Sequence, residues 1–127
     1  SFLKDVEKKK ILFWAINIKK TNNHIGNIKI DPVHSNHGTC EYGIMMGDKL
    51  EWRKGYAKEA SELVIKYCFD NLNLRKITLG VVEKNTSAIE LYKKLNFTIE
   101  GRFINHVNYD GVLYNVIRMA LFNKNYI

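Results

Sequence analysis

The alternation of apolar and polar positions predicts a series of β-strands along the chain. Ile11–Lys19 and Ile25–Ile30 flank a polar turn and predict a hairpin, whose second strand we expect to end at Asp31-Pro32. Thr39–Met46 is rich in apolar and β-favouring residues and predicts a third strand. Further strands are predicted at Lys76–Val82, Phe97–Val107 and Val112–Phe122, with the hairpin signal Asn108-Tyr-Asp-Gly111 between the last two.

Two other segments have helical spacing. The first follows the sequence Trp-Arg-Lys-Gly-Tyr-Ala at positions 52–57, has apolar or small residues on one face and is expected to run to about Asn71. The second is short and is capped by Asn85 or Thr86. Its shared face is formed by Ala88, Leu91, Tyr92 and Leu95. The order of these elements predicts an α/β domain whose central sheet is mixed and mostly antiparallel.

Length and composition limit the classes of protein to which the chain can belong. At 127 residues and 14.8 kDa, the chain is expected to form a single domain over residues 1–127. No stretch is long enough to cross a bilayer and no signal peptide opens the chain, so a cytoplasmic location is the default expectation. Cys40 and Cys68 have neither metal-ligand spacing nor the count of a disulfide framework, and we expect both to be reduced core residues.

The formal charge of +7 has two interpretations. A basic surface could bind nucleic acid, since clustered Lys and Arg attract phosphates. The lysines are scattered along the chain, however, and no RNA-binding aromatic motif or zinc finger accompanies them. This distribution favours a solvated surface.

The turn at positions 52–57 has the features of an anion site. Gly55 allows the backbone to approach a ligand closely, and Ala57 keeps the next turn free of a large side chain. Unpaired N–H groups at the start of a helix, beside Arg53, Lys54 and Lys58, could bind an anion such as a pyrophosphate. An ordinary basic connection is the alternative.

A second motif adds support to the interpretation of the turn at positions 52–57 as an anion site. Asn85 to Phe97 reads N-x-x-A-x-x-x-Y-x-x-x-x-F and follows a predicted strand. Together with W-x-K-G-Y-A-x-E-A, it resembles the GNAT superfamily of acetyl-CoA-dependent N-acetyltransferases. The late E-G-x-x-x-x-H-x-x-x-D-G resembles the branch that contains the ribosomal-protein N-terminal acetyltransferases, with amino-sugar and polyamine relatives. The resemblance runs from about Phe13 to Leu121 and does not specify a substrate.

The resemblance implies a GNAT fold in which a strand and one or two helices precede the strand at Ile11–Lys19. The chain begins where the end of that region would be, so we expect those elements to be missing. In the family these elements help to form the wall of the acceptor pocket, so their absence would affect binding of the acceptor.

The resemblance also implies a set of cofactor-binding residues and no metal. Trp52 stands where the family often has Gln or Arg. This replacement is tolerable, because the family binds the pyrophosphate chiefly through backbone N–H groups. The backbone of the third strand would bind pantetheine and polarise the thioester carbonyl. Asn85 would bind an arm of the cofactor, and simple helix capping is its alternative. The implied cofactor-binding residues are Ile44, Met45, Met46, Arg53, Lys54, Gly55, Tyr56, Ala57 and Asn85.

Two catalytic residues are implied by position. Tyr92 matches the family tyrosine that protonates the departing thiolate, and a core aromatic is the alternative. Glu41 could take a proton from the acceptor ammonium, and its alternatives are a surface glutamate or one that only binds the amine. His34 and His37 are a weak metal pair, and His106 faces either the acceptor or a neighbouring strand.

The expected function is transfer of an acetyl group from acetyl-CoA to a primary amine by direct attack. The acceptor would be a small molecule or a peptide, either a protein N-terminus or an amino sugar carried on a nucleotide. No membrane partner is expected, and a homodimer is one assembly open to the chain. The alternatives are a non-catalytic acetyl-CoA-binding or sensory domain and, with less support, a nucleic-acid-binding module.

Overall fold

The computed structural model describes residues 12–18, 23–34, 36–46 and 56–126. Its strands are β1 (Leu12–Ile18), β2 (Asn23–His34), β3 (Thr39–Met46), β4 (Lys76–Val82), β5 (Thr98–Tyr109) and β6 (Val112–Phe122). Helix α1 (Tyr56–Asp70) connects β3 to β4, and helix α2 (Thr86–Lys94) connects β4 to β5. The predicted α/β class is confirmed.

The six strands form one sheet in the order β1-β2-β3-β4-β6-β5. β3 and β4 are parallel, and the other neighbouring pairs are antiparallel. The prediction of a mixed, mostly antiparallel sheet is therefore confirmed. β6 returns from the β5 hairpin and lies between β4 and β5.

The second strand does not end at Asp31-Pro32 as predicted, because β2 continues to His34. The register between β2 and β3 shifts between Ile30 and Val33, so the residues between them fall outside the regular ladder. Such a bulge tolerates a proline, which has no N–H to donate to the neighbouring strand.

The predicted turn between the last two strands is confirmed. Asp110 and Gly111 have φ values of 53° and 83°, and the Gly111 N–H donates to Asn108 Oδ1 at 2.9 Å. Positive φ at both central residues fits a tight hairpin turn, which explains the Asp-Gly sequence. Asn96 has a φ of 73° directly after α2, a left-handed conformation that asparagine tolerates at a helix end.

One face of the sheet carries the core, and both described helices pack on it. Alternate residues of β4, namely Ile77, Leu79 and Val81, are buried there together with α1 and α2 side chains. We call this the helix-covered face. Cys40 and Cys68 are both free and buried on it, as predicted. Neither helix of the described part of the chain is long and apolar enough to span a membrane.

The alternate residues of the same strands point the other way. Thr78, Gly80 and Val82 of β4 pair with Ala120, Arg118 and Val116 of β6, and Glu41 of β3 pairs with Thr78. Directly paired residues share a face, so these side chains lie together. We call this the opposite face, and it is defined by Glu41, Thr78, Gly80, Val82, Val116, Arg118 and Ala120.

Candidate active site

The central feature of the site is the separation of β3 from β4. The two strands are paired at only three positions, the last of which is Glu41 with Thr78. β3 then continues to Met46 along β2, and β4 continues to Val82 along β6. We call the gap between their carboxyl ends the fork. A fork at this point agrees with the fold that the sequence resemblance implied.

The fork exposes a strand edge that can bind a ligand. Among the described residues, the β3 segment from Gly43 to Met46 pairs with β2 on one side and has no ladder partner on the other. Backbone N–H and C=O groups that alternate toward that edge need partners. The backbone of Ile44, Met45 and Met46 lies along this free edge, and binding of the thioester there stays a prediction.

α2 begins at the open end of the fork, directly after β4, whereas residues 47–55, which lie outside the described residues, connect β3 to α1. α1 follows the carboxyl end of β3, α2 follows the carboxyl end of β4, and the two strands are parallel. The first N–H groups of each helix have no partner within the helix and can bind an anion. α1 begins at Tyr56 and Ala57. Arg53, Lys54 and Gly55 of the predicted pyrophosphate turn lie outside the described residues.

Asn85 is the N-cap of α2. Its Oδ1 accepts a hydrogen bond from the Ala88 backbone N–H at 3.2 Å. This contact explains why the short helix begins at Thr86, since an N-cap side chain pairs an otherwise free donor. The capping alternative is therefore observed, and binding of the cofactor by Asn85 stays a prediction.

Tyr92 belongs to an aromatic cluster on the helix-covered face. Its ring centroid is 6.1 Å from that of Tyr42 and 5.9 Å from that of Phe97, both in edge-to-face geometry. The residue is only 6% exposed, and this burial raises its pKa to about 12. The phenol therefore keeps its proton at neutral pH.

Tyr42 links this cluster to α1 and was not predicted as part of the site. Its hydroxyl is hydrogen-bonded to the hydroxyl of Ser61, which is fully buried. Burial raises the pKa of Tyr42, with the hydrogen bond to Ser61 acting in the opposite direction. Tyr42 follows Glu41 directly, so the aromatic cluster reaches the base of the fork.

Glu41 is held by an arginine that the sequence did not point to. Arg118 Nη1 donates to Glu41 Oε1 at 2.6 Å, and Arg118 Nη2 donates to Oε2 at 3.0 Å. Thr78 Oγ1 also donates to Oε2, at 3.2 Å. The hydrogen bonds to Glu41 raise the pKa of the Arg118 guanidinium further above its usual value.

A sequence signal for this ion pair existed. Glu41 and Arg118 are each a single charge within a strand that is otherwise largely apolar, and their charges are opposite. Gly80 lies in the interior of an apolar strand, a position that often marks a close approach by another group. No local pattern could join them, because 77 residues separate the two charges.

A cleft of about 290 Å³ opens beside the ion pair. His106 lies in its lining, and the imidazole centroid is 4.8 Å from the Phe103 ring. The lining residues are Glu41, Tyr42, Gly80, Val82, Phe103, His106, Val107, Tyr109, Val116 and Arg118. A larger groove of about 730 Å³ lies between the ends of α1, α2 and β6 and contains none of the predicted site residues. We place the site at the smaller cleft, because it adjoins the fork.

His34 and His37 are not joined by a third potential metal ligand among the residues that the structure describes. The rings of His34 and His37 have centroids 6.3 Å apart. Within the described part of the chain, no group of three or more His, Cys, Asp or Glu residues could hold a metal ion.

Comparison with known proteins identifies the family. A model of the acetyltransferase (GNAT) domain matches residues 2–98, most of the chain. The chain therefore belongs to the GNAT acetyltransferase family, and its sheet of six strands with two described helices is the GNAT fold.

Individual relatives give a finer comparison. The N-acetyltransferase p20 of Bacillus licheniformis, itself uncharacterized, is 32% identical over 113 residues, which make up 89% of this chain and 63% of that protein. The spermidine N(1)-acetyltransferase of Escherichia coli K12 is 32% identical over 102 residues, or 80% of this chain and 54% of that protein. The chain thus spans little more than half the length of these curated relatives.

A solved structure shows the same architecture. The dodecameric spermidine N-acetyltransferase of Vibrio cholerae has a TM-score of 0.86 and 25% sequence identity to this chain. The match covers 99% of this chain and 72% of that chain.

Proposed function

We propose that this protein transfers an acetyl group from acetyl-CoA to a primary amine by direct attack of the amine on the thioester. The observation that carries the proposal is the fork, where β3 and β4 separate after Glu41 and Thr78 in a chain of the GNAT family. Family membership supports acetyl-CoA as the co-substrate.

The described residues fit this co-substrate. The free edge of β3 from Gly43 to Met46 offers hydrogen-bonding groups to the amides of a pantetheine arm. The helix N-termini at Tyr56 and Thr86 offer N–H groups to phosphates. Bound acetyl-CoA would supply an acyl group activated as a thioester. Its phosphates would also interact with Arg53 and Lys54, whose charge favours anions.

The backbone and side chains of β3 would perform the central steps. N–H groups among Ile44, Met45 and Met46 would stabilise the negative charge that develops on the carbonyl oxygen. Glu41 would accept a hydrogen bond or a proton from the attacking amine, directly or through water. As the C–N bond forms and the C–S bond breaks, one proton leaves the amine and one is required by the thiolate.

Tyr92 would act on the departing sulfur from the helix-covered face. A cysteine-like thiol has a pKa of about 8.5. Full proton transfer from a phenol with a pKa of about 12 to such a thiolate is uphill. A hydrogen bond from the phenol requires no such transfer and still stabilises the developing charge. We therefore assign Tyr92 as a hydrogen-bond donor to the developing thiolate. The phenol would transfer its proton fully only if the bound thiolate were more basic than a free thiolate in water.

Three classes of acceptor are open to this site. The sequence motifs support a protein N-terminus or a nucleotide-linked amino sugar, in the branch that contains the ribosomal-protein N-terminal acetyltransferases. The spermidine N(1)-acetyltransferases among its relatives add a polyamine, spermidine. All three present a primary amine, which is the part of the acceptor that the proposed chemistry uses.

The first experiment measures binding of acetyl-CoA. A ligand of the native state raises the melting temperature, and acetyl-CoA should do so. Gly55→Glu should abolish that shift by placing a negative side chain in the predicted pyrophosphate turn. Gly101→Glu is the matched control, because a Cβ there meets no atom within 4 Å. Equal stabilisation of a folded Gly55→Glu variant and the parent would contradict the assignment, and stronger binding of RNA than of acetyl-CoA at physiological salt would favour the nucleic-acid alternative.

The second experiment measures turnover. Release of free CoA thiol is followed with spermidine, an N-terminal peptide and a nucleotide-linked amino sugar as separate acceptors. Acetylation of at least one class is expected. Binding of acetyl-CoA without acetylation of any of the three would instead support the sensory alternative.

Assembly and location complete the proposal. Self-association, at least to a homodimer, is supported by the dodecamer of the Vibrio cholerae relative and is measured by light scattering. A cytoplasmic setting is proposed as well, and fractionation of expressing cells tests it.

A further inference from the structure

The Glu41 carboxylate has few free acceptor positions. An ionised carboxylate offers about four lone-pair sites, two on each oxygen. On Oε2 one is used by Arg118 Nη2, and the single Thr78 hydroxyl hydrogen is shared between Oε2 and the Cys40 carbonyl oxygen, each 3.2 Å from Thr78 Oγ1. Within the described part of the chain Oε1 accepts from Arg118 Nη1 alone, which leaves it an acceptor position for another group.

Arg118 reaches Glu41 by crossing a glycine. Arg118 on β6 pairs with Gly80 on β4, whereas Glu41 lies on β3, one strand further. A Cβ at Gly80 would lie 2.8 Å from Arg118 Nη1 and 3.2 Å from Val116 Cγ1. The absence of a side chain at Gly80 therefore allows the guanidinium to lie across β4.

The ion pair lies at the base of the fork. Glu41 and Thr78 form the last pair between β3 and β4, so the guanidinium connects the two strands where they separate. The side chains of Arg118 and Glu41 are 24% and 36% exposed, and both line the cleft of about 290 Å³. The Glu41 side chain is therefore partly accessible from the cleft on the opposite face.

We propose that Arg118 is a positioning residue for the acetyl transfer. It fixes the Glu41 carboxylate at the base of the fork and leaves an acceptor position on Oε1 for the amine or for its bridging water. Gly80 is required for this arrangement, because any side chain there displaces the guanidinium. The inference rests on the proposed function, since it assigns a partner to Glu41 in that reaction.

The kinetic test uses Arg118→Met, Arg118→Lys, Glu41→Gln and the double variant Glu41→Gln with Arg118→Met. Misplacement of a reacting group by about 1 Å can reduce the rate on the order of 10²-fold, and we expect such a loss of kcat for Arg118→Met. KM for acetyl-CoA should change little. Arg118→Lys should recover part of the rate, because it restores the charge but not the bidentate contact.

The double variant separates positioning from an independent role. If Arg118 acts through Glu41, the double variant should be no slower than Glu41→Gln alone. Losses that multiply, or a parental kcat in Arg118→Met, would overturn the proposal. Arg102→Met, which removes an exposed ion pair with Glu83, is the control for loss of an Arg–Glu pair.

Gly80→Ala tests the geometry without removing a charge. The atom it meets first is the flexible end of Arg118, so the fold should persist while the guanidinium moves. We expect its kcat to fall as in Arg118→Met. Gly101→Ala is the control and should keep the parental rate. Full activity of a folded Gly80→Ala variant would contradict the proposal.

A measurement independent of turnover distinguishes the two proposals. Nitrogen NMR of the arginine side chains should show hindered guanidinium rotation for Arg118 in the parent and in Gly101→Ala, and free rotation in Glu41→Gln and Gly80→Ala. Free rotation in the parent would overturn the positioning role whatever the activity. Hindered rotation in a parent that acetylates no amine would refute the proposed function and leave the fixed position of Glu41 supported.

Discussion

The helix-covered face contains an apolar and aromatic cluster with the buried hydroxyl of Ser61, whereas the opposite face carries the ion pair of Glu41 with Arg118 beside a cleft. Tyr92 and Tyr42 lie within the buried cluster of the first face, and Glu41 and Arg118 lie half-buried on the second. The fork separates β3 and β4 between these two environments. Under the proposed function, the donor to the sulfur would lie on one face of the sheet and the group that meets the amine would lie on the other.

Tyr92→Phe tests most directly whether the helix-covered face takes part in the reaction. It keeps the ring and its packing against Tyr42 and Phe97 but removes the hydroxyl. Loss of a hydrogen bond to a charged group costs about 1.5–3 kcal/mol, so kcat should fall roughly 10- to 150-fold while the melting temperature and acetyl-CoA binding persist. Steady-state kinetics at saturating acetyl-CoA would check this. A parental rate would mean that the helix-covered face has only a structural role.

Leu79→Ala tests the structural side of the comparison. Leu79 is 1% exposed on the helix-covered face, and truncation of such a side chain to alanine typically costs about 2–5 kcal/mol. Val82→Ala, on the opposite face of the same strand, should cost well under that amount. Denaturant unfolding monitored by circular dichroism measures both free energies. Equal costs would show that the two faces contribute equally to stability.

Alkaline pH should destabilise the helix-covered face through Tyr92. The pKa of Tyr92 is about 12 in the folded chain, against about 10 for an unfolded tyrosine. The folded state then holds the proton to a higher pH, so this contribution to stability is complete below pH 10 and falls as pH rises toward 12. The loss is roughly 2–3 kcal/mol for a shift of this size.

Unfolding free energies measured across that pH range provide the test. Tyr92→Phe should reduce the decline and leave the part that the raised pKa of Tyr42 causes, and Tyr126→Phe, which alters an exposed ring, should leave the decline as it is in the parent. An unchanged decline in Tyr92→Phe would show that other groups cause it.

Substitution of Asn85 is expected to have the smallest effect on stability. It tests whether the start of α2, at the open end of the fork, also contacts the cofactor. Asn85→Ala removes the N-cap of α2 and should cost about 0.5–2 kcal/mol of stability. Asn85→Ser should restore most of this, because serine also caps helices. Acetyl-CoA affinity in Asn85→Ser, measured by calorimetry, then reports a separate contact with the cofactor. Parental affinity would leave Asn85 as a cap alone.

The sequence predicted most of the fold because its signals are local. β3 and β4 have the predicted bounds, Asn85 caps α2, and the Asp110-Gly111 turn closes the last hairpin. Each depends on residues close together in the chain. The second strand was predicted too short, because a bulge can carry a strand past a proline and depends on the neighbouring strand.

Of the site, the sequence identified Glu41, Tyr92 and the β3 segment through family motifs, and their catalytic roles stay predictions. It did not identify Arg118 or the Tyr42–Ser61 contact. Periodicity assigns a residue to a face of its own strand or helix, but it cannot place that strand beside another.

The sequence by itself therefore determined the elements, their order, the turn chemistry and the family. Only the tertiary structure decided that β6 lies between β4 and β5, and that β3 leaves β4 after three paired positions. These two outcomes bring Arg118 across Gly80 to Glu41. The physical reason is that strand pairing and charge pairing over such distances depend on the packing of the whole sheet, which no local stretch of sequence encodes.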